Sequence, residues 1–164
     1  MTIFLLTHQR ELLKKTNTGS LVVDVLGENA KVIVWERKNP DPELLKYIDE
    51  GTVALLYPSA NSQLITETAN VQHYIIIDGT WQEAQKIYNR SPYLSGLPVV
   101  KIPAGTPSAF NLRRNQRADC LCTCECVIEV LKARGFSTLA TKLQKVFIRF
   151  LAEKSNKTVS ELKS

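Results

Sequence analysis

The sequence predicts a single-domain α/β protein with a mostly parallel sheet and flanking helices. Short apolar runs rich in β-branched residues alternate along the chain with amphipathic patterns of helical period. The apolar runs contain few polar residues, which is typical of strands covered on both faces in a parallel sheet. A chain of 164 residues is also long enough to bury a substantial core. Together these observations favour an α/β fold.

Three strands and two helices are predicted in the first part of the chain. The strands are residues 3–7, 32–35 and 53–56. The first helix follows from apolar residues at helical spacing, which are Leu21, Val22, Val25 and Leu26. Ser20 is a candidate cap for this helix, and Gly27 is a stop signal. Asp41 followed by Pro42 predicts the start of the second helix, because proline is favoured at the first helical position.

A buried strand and a tight turn are predicted in the middle of the chain. Residues 75–77 are three consecutive isoleucines, followed by Asp78 and Gly79. Gly79 permits a sharp turn, and Thr80 can cap a helix that begins around Trp81.

The last part of the chain predicts one more strand and two helices. The strand covers residues 97–102, and a long polar and basic loop follows at 103–117. The chain becomes helical from Leu121 onward. The last helix has an apolar stripe made by Leu139, Leu143, Val146, Phe147, Phe150 and Leu151. One domain is expected over residues 1–152, with a frayed tail over 153–164.

The end of the isoleucine strand is a candidate ligand site. In open α/β sheets, ligands bind just beyond the carboxyl ends of the strands. Asp78, Thr80 and Trp81 would lie at that edge. The alternative is an ordinary strand–turn–helix, in which Asp78 forms the turn and Trp81 anchors the core.

The charge balance favours an anionic partner. The formal net charge is +5, which fits a nucleic acid although many basic proteins bind none. Candidate phosphate contacts are Lys14 and Lys15 in a polar turn, and Arg113, Arg114 and Arg117 in the long loop. No apolar run approaches the length of a bilayer span, and the N-terminus lacks a signal-peptide pattern.

The four cysteines are two residues apart, at Cys120, Cys122, Cys124 and Cys126. Zinc and redox motifs usually have C-x-x-C spacing, so we expect no metal site. Clustered free thiols fit a reducing compartment, and a cytoplasmic location is expected. Neither a G-x-G-x-x-G motif nor a P-loop is present, which leaves dinucleotide and nucleotide-triphosphate binding unsupported.

Three segments in a fixed order resemble one known family. They are Thr7 to Glu11 with Thr16 to Gly19; Asp78 to Trp81 with Ser91 to Leu94 and Leu97-Pro98; and Ser108 to Arg113 with Leu121 to Glu125. Over about residues 5–131 the sequence is similar to the DTW-domain family, the tRNA-uridine aminocarboxypropyltransferases. The resemblance implies a fold like that of the knotted SPOUT methyltransferases.

The resemblance also implies an activity. Family members transfer the 3-amino-3-carboxypropyl group of S-adenosylmethionine to N3 of a tRNA uridine and release methylthioadenosine. The implied partners are therefore tRNA and S-adenosylmethionine, without a metal or a membrane. Two alternatives stay open: a SPOUT-like RNA methyltransferase that uses the same cofactor, and a non-catalytic RNA-binding module.

The residues that match the family motifs define the expected site. Asp78 is the catalytic candidate, either as the base for the uridine N3 proton or as a partner of the cofactor ammonium group. The expected cofactor site consists of Ser59, Thr80, Trp81, Ile102, Arg113, Leu121, Thr123 and Glu125. The expected RNA contacts are Lys14, Lys15, Arg114 and Arg117. Glu125 could instead be a simple helix cap, and Tyr93 or Phe110 could stack on a uridine or belong to the core.

Three features depart from the family pattern. Many members carry a zinc ribbon before the His-x-x-Glu segment, whereas this sequence begins at the strand before that segment and is expected to be a short form. Phe110 replaces the usual tyrosine. Cys122 replaces the serine of Leu-Ser-Thr-x-Glu, and a thiol is a poor cap. The helix that follows should therefore start weakly, or Thr123 should cap it instead.

Overall fold

The structure is a computed structural model that describes residues 1–15, 17–57, 62–67, 70–102 and 122–163. For residue 67 and residues 155–163 it describes only the backbone.

The described residues form a parallel sheet of six strands, as the sequence predicts. The strands are β1 (Ile3–Thr7), β2 (Ala30–Val34), β3 (Val53–Leu56), β4 (Gln63–Leu64), β5 (His73–Asp78) and β6 (Val99–Lys101). Their order across the sheet is β2-β1-β5-β3-β6-β4, and every pairing is parallel. The isoleucine strand β5 is central, between β1 and β3. The predicted α/β fold class is confirmed.

The described residues also form five α-helices, which cover both faces of the sheet. They are α1 (Gly19–Leu26), α2 (Pro42–Asp49), α3 (Trp81–Arg90), α4 (Thr123–Ala133) and α5 (Ser137–Lys163). α1, α4 and α5 pack on one face, where Leu5, Ile76 and Leu131 are buried together. α2 and α3 cover the other face through residues such as Leu44 and Ile87. Burial on both faces explains why the strand sequences are almost purely apolar.

The register places the carboxyl ends of the central strands side by side. Thr7 at the end of β1 pairs with Asp78 at the end of β5. On the other side of β1, Thr7 pairs with Val34. The loops after β1, β2 and β5 therefore leave the sheet at one edge, which we call the carboxyl edge.

Most helix starts follow their sequence signals, with one correction. Asp41 caps α2 and Thr80 caps α3, as predicted, each accepting a bond from a backbone N–H. Ser20 does not cap α1, because the helix already begins at Gly19. The Asn17 side chain accepts the bond from Gly19 N instead, at 2.9 Å.

Other boundaries differ from prediction by a few residues. β2 spans residues 30–34 rather than 32–35, and β6 spans 99–101 rather than 97–102. Pro98 has no N–H for the ladder, which is consistent with the later start of β6. The ambiguous segment contains the two-residue strand β4 and a 3₁₀ turn at Ile65–Glu67.

The last helix extends beyond its predicted apolar stripe. The backbone of α5 continues to Lys163. The predicted domain end at residue 152 stays a prediction. The frayed tail stays a prediction, and so does the knot, because the path from β6 to α4 runs through residues outside the described part. No described helix combines the length and apolarity that a membrane span requires.

Candidate functional site

The side chain of Asp78 points to the α1–α4 face of the sheet. Side chains alternate along a strand, and Tyr74 and Ile76 of β5 face the core beneath α1, α4 and α5. Asp78 continues that series, so it emerges between the starts of two helices. Only 3% of it is exposed.

Both carboxylate oxygens of Asp78 accept hydrogen bonds. Asn17 Nδ2 donates to Oδ2 at 2.8 Å, and Thr123 Oγ1 donates to Oδ1 at 2.7 Å. Asn17 lies just before α1, and Thr123 is the first residue of α4. A buried carboxylate therefore joins β5 to the starts of both helices, and its charge suits their N-terminal dipoles.

The network extends to a second buried acid. Asn17 Nδ2 also lies 3.3 Å from Glu11 Oε2, and Glu11 is fully buried. Lys14 forms an ion pair with Glu11, with Nζ 3.0 Å from Oε1. We call Glu11, Asn17, Asp78 and Thr123 the Asp78 cluster.

A close backbone approach explains the glycine at the start of α1. A Cβ atom placed on Gly19 would lie 2.8 Å from Asp78 Oδ2 and 3.0 Å from Asn17 Oδ1. Carbon atoms do not approach polar oxygens so closely, so any larger residue must displace the carboxylate or the amide. The glycine in this motif is required by packing.

α4 is capped from a distant part of the chain. Cys122 is the N-cap residue, and its N–H donates to Glu125 Oε1 at 3.1 Å. The N–H of Cys124 donates to Thr18 Oγ1 at 3.1 Å, although Thr18 itself precedes α1. The expectation that Thr123 caps α4 is wrong, because its hydroxyl donates to Asp78. Glu125 does act as a cap residue, which was the simpler of its two predicted roles.

The thiols of Cys122 and Cys124 stay protonated. Burial, with the nearby Glu125 carboxylate, raises the pKa of Cys122 to about 12. Burial also raises the pKa of Cys124. Within the described part of the chain, no three His, Cys, Asp or Glu side chains are grouped so that they could hold a metal ion.

A second cluster lies at the carboxyl edge on the α3 side. Thr80 and Glu83 form a capping box at the start of α3: Thr80 N donates to Glu83 Oε1 at 2.9 Å, and Glu83 N donates to Thr80 Oγ1 at 3.2 Å. The other carboxylate oxygen of Glu83 lies 3.3 Å from His8 Nδ1. The His8 ring stacks on Trp35 with 6.3 Å between centroids. We call His8, Trp35 and Glu83 the His8 cluster.

An aromatic stack lies beside the start of α3. The ring of Tyr57, just after β3, is 4.3 Å from that of Tyr88 and 6.2 Å from that of Trp81, and both pairs are nearly parallel. Tyr57 is buried, whereas Trp81 and Tyr88 are half-buried. Burial raises the pKa of Tyr57, so its hydroxyl stays protonated. The partly exposed indole has a face suited to a cation or a base.

The predicted site residues divide between the two faces of the sheet. Asp78, Thr123 and Glu125 meet at the start of α4, whereas Thr80 and Trp81 belong to the α3 side of the same edge. Ile102 follows β6, two strands from β5, and is half-buried. Those outside the described residues are Ser59, Phe110, Arg113, Arg114, Arg117, Cys120 and Leu121.

The remaining predictions concern surface and core residues. Lys14 is bound to Glu11, while Lys15 is exposed. Tyr93 is half-buried and packs against the α2–α3 core, and burial raises its pKa.

Sequence reasoning missed several residues of the site. Glu11 contacts Asn17, Asn17 contacts Asp78, and Thr18 contacts α4. Glu83 contacts His8. Glu11, Asn17 and Thr18 lie within the family segments, and the pairing of β1 with β5 brings those segments to Asp78. Their adjacency follows from the sheet order, which an unaligned sequence does not specify.

Comparison with known proteins identifies the class to which this fold and site belong. The family model described as DTW domain matches residues 1–154, and the chain belongs to this family. The predicted family membership is confirmed.

Two curated relatives carry the same name, tRNA-uridine aminocarboxypropyltransferase 2. The protein from Drosophila melanogaster is 31% identical over 137 residues, covering 79% of this chain and 54% of its own length. The protein from Macaca fascicularis is 27% identical over 143 residues, covering 79% and 46%. The chain thus spans about half the length of these relatives.

A solved structure shares the fold. It is the S-adenosylmethionine-dependent rRNA:acp-transferase Tsr3 from Vulcanisaeta distributa, with a TM-score of 0.58 and 15% identity. The match covers 95% of this chain and 80% of that one.

Proposed function

We propose that this chain transfers the 3-amino-3-carboxypropyl group of S-adenosylmethionine to N3 of a tRNA uridine, releasing methylthioadenosine. The observation that carries the proposal is the DTW match over residues 1–154. The pairing of Thr7 with Asp78, which brings two of the motif segments to one edge of the sheet, supports it. The names of the two relatives support the same activity. We place the reaction in the cytoplasm, where tRNA is available and free thiols persist.

The residues at the carboxyl edge fit the chemistry of S-adenosylmethionine. When bound, this donor supplies a carbon made electrophilic by the adjacent sulfonium. The half-buried face of Trp81 suits a sulfonium or an adenine ring. The Asp78 cluster has two buried carboxylates near one lysine, and this excess of negative charge suits an ammonium group.

The contacts of Asp78 support a positioning or cofactor-side role over the role of base. A base must reach the proton that it accepts. Asp78 is almost completely buried, and each of its oxygens already accepts a hydrogen bond. Its charge can still act on a donor bound at the same edge.

The RNA-binding role of the basic residues is part of the proposal. Lys15 is exposed and can reach a phosphate, whereas Lys14 would have to leave Glu11 to do so. Arg114 and Arg117 remain candidates from the sequence. Phosphate contacts of this kind would make tRNA binding weaken as salt is raised.

Nucleoside analysis tests the proposed activity. Unmodified tRNA is incubated with the protein and S-adenosylmethionine, digested to nucleosides and analysed by mass spectrometry, with a control that lacks the cofactor. We expect uridine carrying the aminocarboxypropyl group, together with methylthioadenosine. A methylated uridine would instead identify a methyltransferase. Binding of tRNA without any modified nucleoside would favour an RNA-binding module.

A substitution at Trp81 tests the donor site. We expect Trp81→Ala to weaken S-adenosylmethionine binding by about 3- to 30-fold in calorimetry, as lost stacking on a cation implies. Trp81→Phe keeps an aromatic face and should retain most of the affinity. Circular dichroism checks that both variants are folded. Equal affinities in all three proteins would remove Trp81 from the site.

A further inference from the structure

His8 and Glu83 form an acid–base pair at the carboxyl edge that has no assigned role. Their side chains are only 12% and 11% exposed, and His8 Nδ1 lies 3.3 Å from Glu83 Oε2. Within the described residues, Glu83 is the charged side chain that contacts the His8 ring. The pair joins the loop after β1 to the first turn of α3, directly beside the Asp78-to-Trp81 motif.

Three contacts hold His8 in place, two through its ring and one through its backbone. Trp35 stacks on one face, and the Trp35 indole is itself fixed by a 2.7 Å bond from Nε1 to Ser91 Oγ. His8 N donates to Asp78 O at 3.0 Å, which ties its backbone to the end of β5. Glu83 holds Nδ1 and is itself held by Thr80 N. An oriented imidazole of this kind is suited to proton transfer.

Nδ1 has two competing partners. Arg10 N lies 3.2 Å away and can donate to an unprotonated Nδ1. Glu83 can only accept, so its contact requires a proton on Nδ1. When Nδ1 is protonated, Nε2 has a free lone pair; once Nε2 also takes a proton, the imidazolium is stabilised by the Glu83 carboxylate. No described residue forms a hydrogen bond with Nε2.

We propose that His8 Nε2 accepts the N3 proton of the target uridine and that Glu83 positions the imidazole; this assignment rests on the proposed function. The uridine N3–H bond breaks and its proton moves to Nε2. The N3 electron pair forms a bond to the carbon of the aminocarboxypropyl group that is attached to the sulfonium, and the electrons of that carbon–sulfur bond return to sulfur. Methylthioadenosine leaves as a neutral thioether. The imidazolium then loses its proton to water, so no other reactant is needed.

The structure favours His8 over Asp78 for this step. Both oxygens of Asp78 accept bonds inside the protein, whereas one ring nitrogen of His8 does not. An imidazole also changes charge near neutral pH, where a general base is most effective. Asp78 then contributes through the position of the helices and through its charge.

The two histidines of the chain provide a matched pair for the test. His8→Asn keeps a side-chain acceptor for Arg10 N but removes Nε2. We expect it to lower the single-turnover rate by about 100- to 10,000-fold, with S-adenosylmethionine affinity unchanged in calorimetry. His73→Asn changes the histidine at the opposite edge of the sheet and should leave the rate unchanged. Added imidazole should restore part of the rate in His8→Ala, which a purely structural role would not allow.

The pH profile tests His8, and the difference between rate and affinity tests Glu83. If His8 is the base, the single-turnover rate of the wild-type protein should rise with pH and then level off. That inflection should be absent in His8→Asn and present in His73→Asn. Glu83→Gln keeps the capping box but replaces the carboxylate that holds Nδ1 with an amide, so the single-turnover rate should fall while S-adenosylmethionine affinity stays unchanged in calorimetry.

The outcomes distinguish the two proposals. If the wild-type protein forms no aminocarboxypropyl-uridine, the proposed function fails, and the role of His8 fails with it. If the wild-type protein is active but folded His8→Asn keeps its rate within about threefold, only the role of His8 is overturned. An inflection that persists in His8→Asn would also place the base elsewhere.

Discussion

At the scale of single residues, the Asp78 carboxylate combines deep burial with dependence on hydrogen bonds from other side chains. It is almost fully buried and depends on Asn17 and Thr123 for its hydrogen bonds. Hydrogen bonds to charged groups contribute more than those between neutral groups, and the loss of a partner costs most in a buried position. Small changes around this carboxylate should therefore have measurable effects on stability.

Asp78→Asn should affect stability and cofactor affinity more than the chemical step. The amide oxygen can accept from Asn17, and Thr123 can rotate to accept from the amide nitrogen. The loss of charge should lower the free energy of unfolding by about 1–2 kcal/mol in urea melts. Single-turnover rate and calorimetric affinity are measured on the same variant. A 100- to 10,000-fold loss of rate at unchanged affinity would restore Asp78 as the base.

Gly19→Ala should destabilise the protein because its Cβ would overlap Asp78 Oδ2. Overpacking at a buried position typically costs about 1–3 kcal/mol. Denaturant melts measure the change. Ser20→Ala is the control: it is the next residue in α1 and is exposed, so its effect should stay within about 0.5 kcal/mol. If the two variants were equally stable, the close approach would not constrain Gly19.

At the scale of elements, the start of α4 is completed by a side chain from another part of the chain. Cys122 stands where a serine would usually cap, and Thr18 receives the N–H of Cys124. A free N–H group at a helix start needs a hydrogen-bond acceptor, and the residue that supplies the acceptor can be distant in sequence. α1 and α4 are thereby joined at their N-terminal ends.

Thr18→Val should lower the stability of the protein by about 1 kcal/mol, because valine has the same shape but leaves Cys124 N–H without that acceptor. Cys122→Ser should raise stability by a similar amount, since a hydroxyl caps better than a thiol. Thermal melts compare these variants with Thr141→Val, which changes an exposed threonine on α5. The role of Thr18 would be contradicted if Thr18→Val and Thr141→Val had the same melting temperature.

The sequence was most informative where the signal was local. The caps at Asp41 and Thr80 follow from residue type and spacing, and both were predicted correctly. The Thr18 cap was not predictable in that way, since 106 positions separate it from its partner. The division of the site between two sheet faces depends on strand order, and the same is true of the His8–Glu83 contact.

At the scale of the whole molecule, the two edges of the sheet have different roles. The carboxyl edge holds both polar clusters. The opposite edge is tied together by His73, whose Nδ1 accepts from Thr2 N at 3.0 Å and whose ring stacks 4.1 Å from Tyr47. Burial, together with the N-terminal ammonium group, lowers the pKa of His73 from its ordinary value of 6.5.

The stability of the protein should therefore depend on the charge of His73. Because its pKa is lower in the folded state, the unfolded chain binds a proton first as the pH falls. The contribution is fully present above pH 6.5 and is lost as the pH falls through the folded pKa. Urea melts between pH 8 and pH 5 measure this loss, and His73→Gln should make the curve flatter. If the free energy of unfolding depended on pH equally steeply in His73→Gln and in the wild-type protein, the dependence would belong to other groups.

The link between Thr18 and Cys124 also affects the order of events during synthesis on the ribosome. The loop that carries Asn17 and Thr18 emerges first, and Cys124, the partner of Thr18 in α4, emerges 106 residues later. Contacts so distant in sequence form late, after the cost of closing a long loop has been met. A nascent chain that has not yet reached residue 123 lacks the hydroxyl that donates to Asp78 Oδ1. The Asp78 cluster is thus completed only after the start of α4 has been made, long after the strand that carries Asp78.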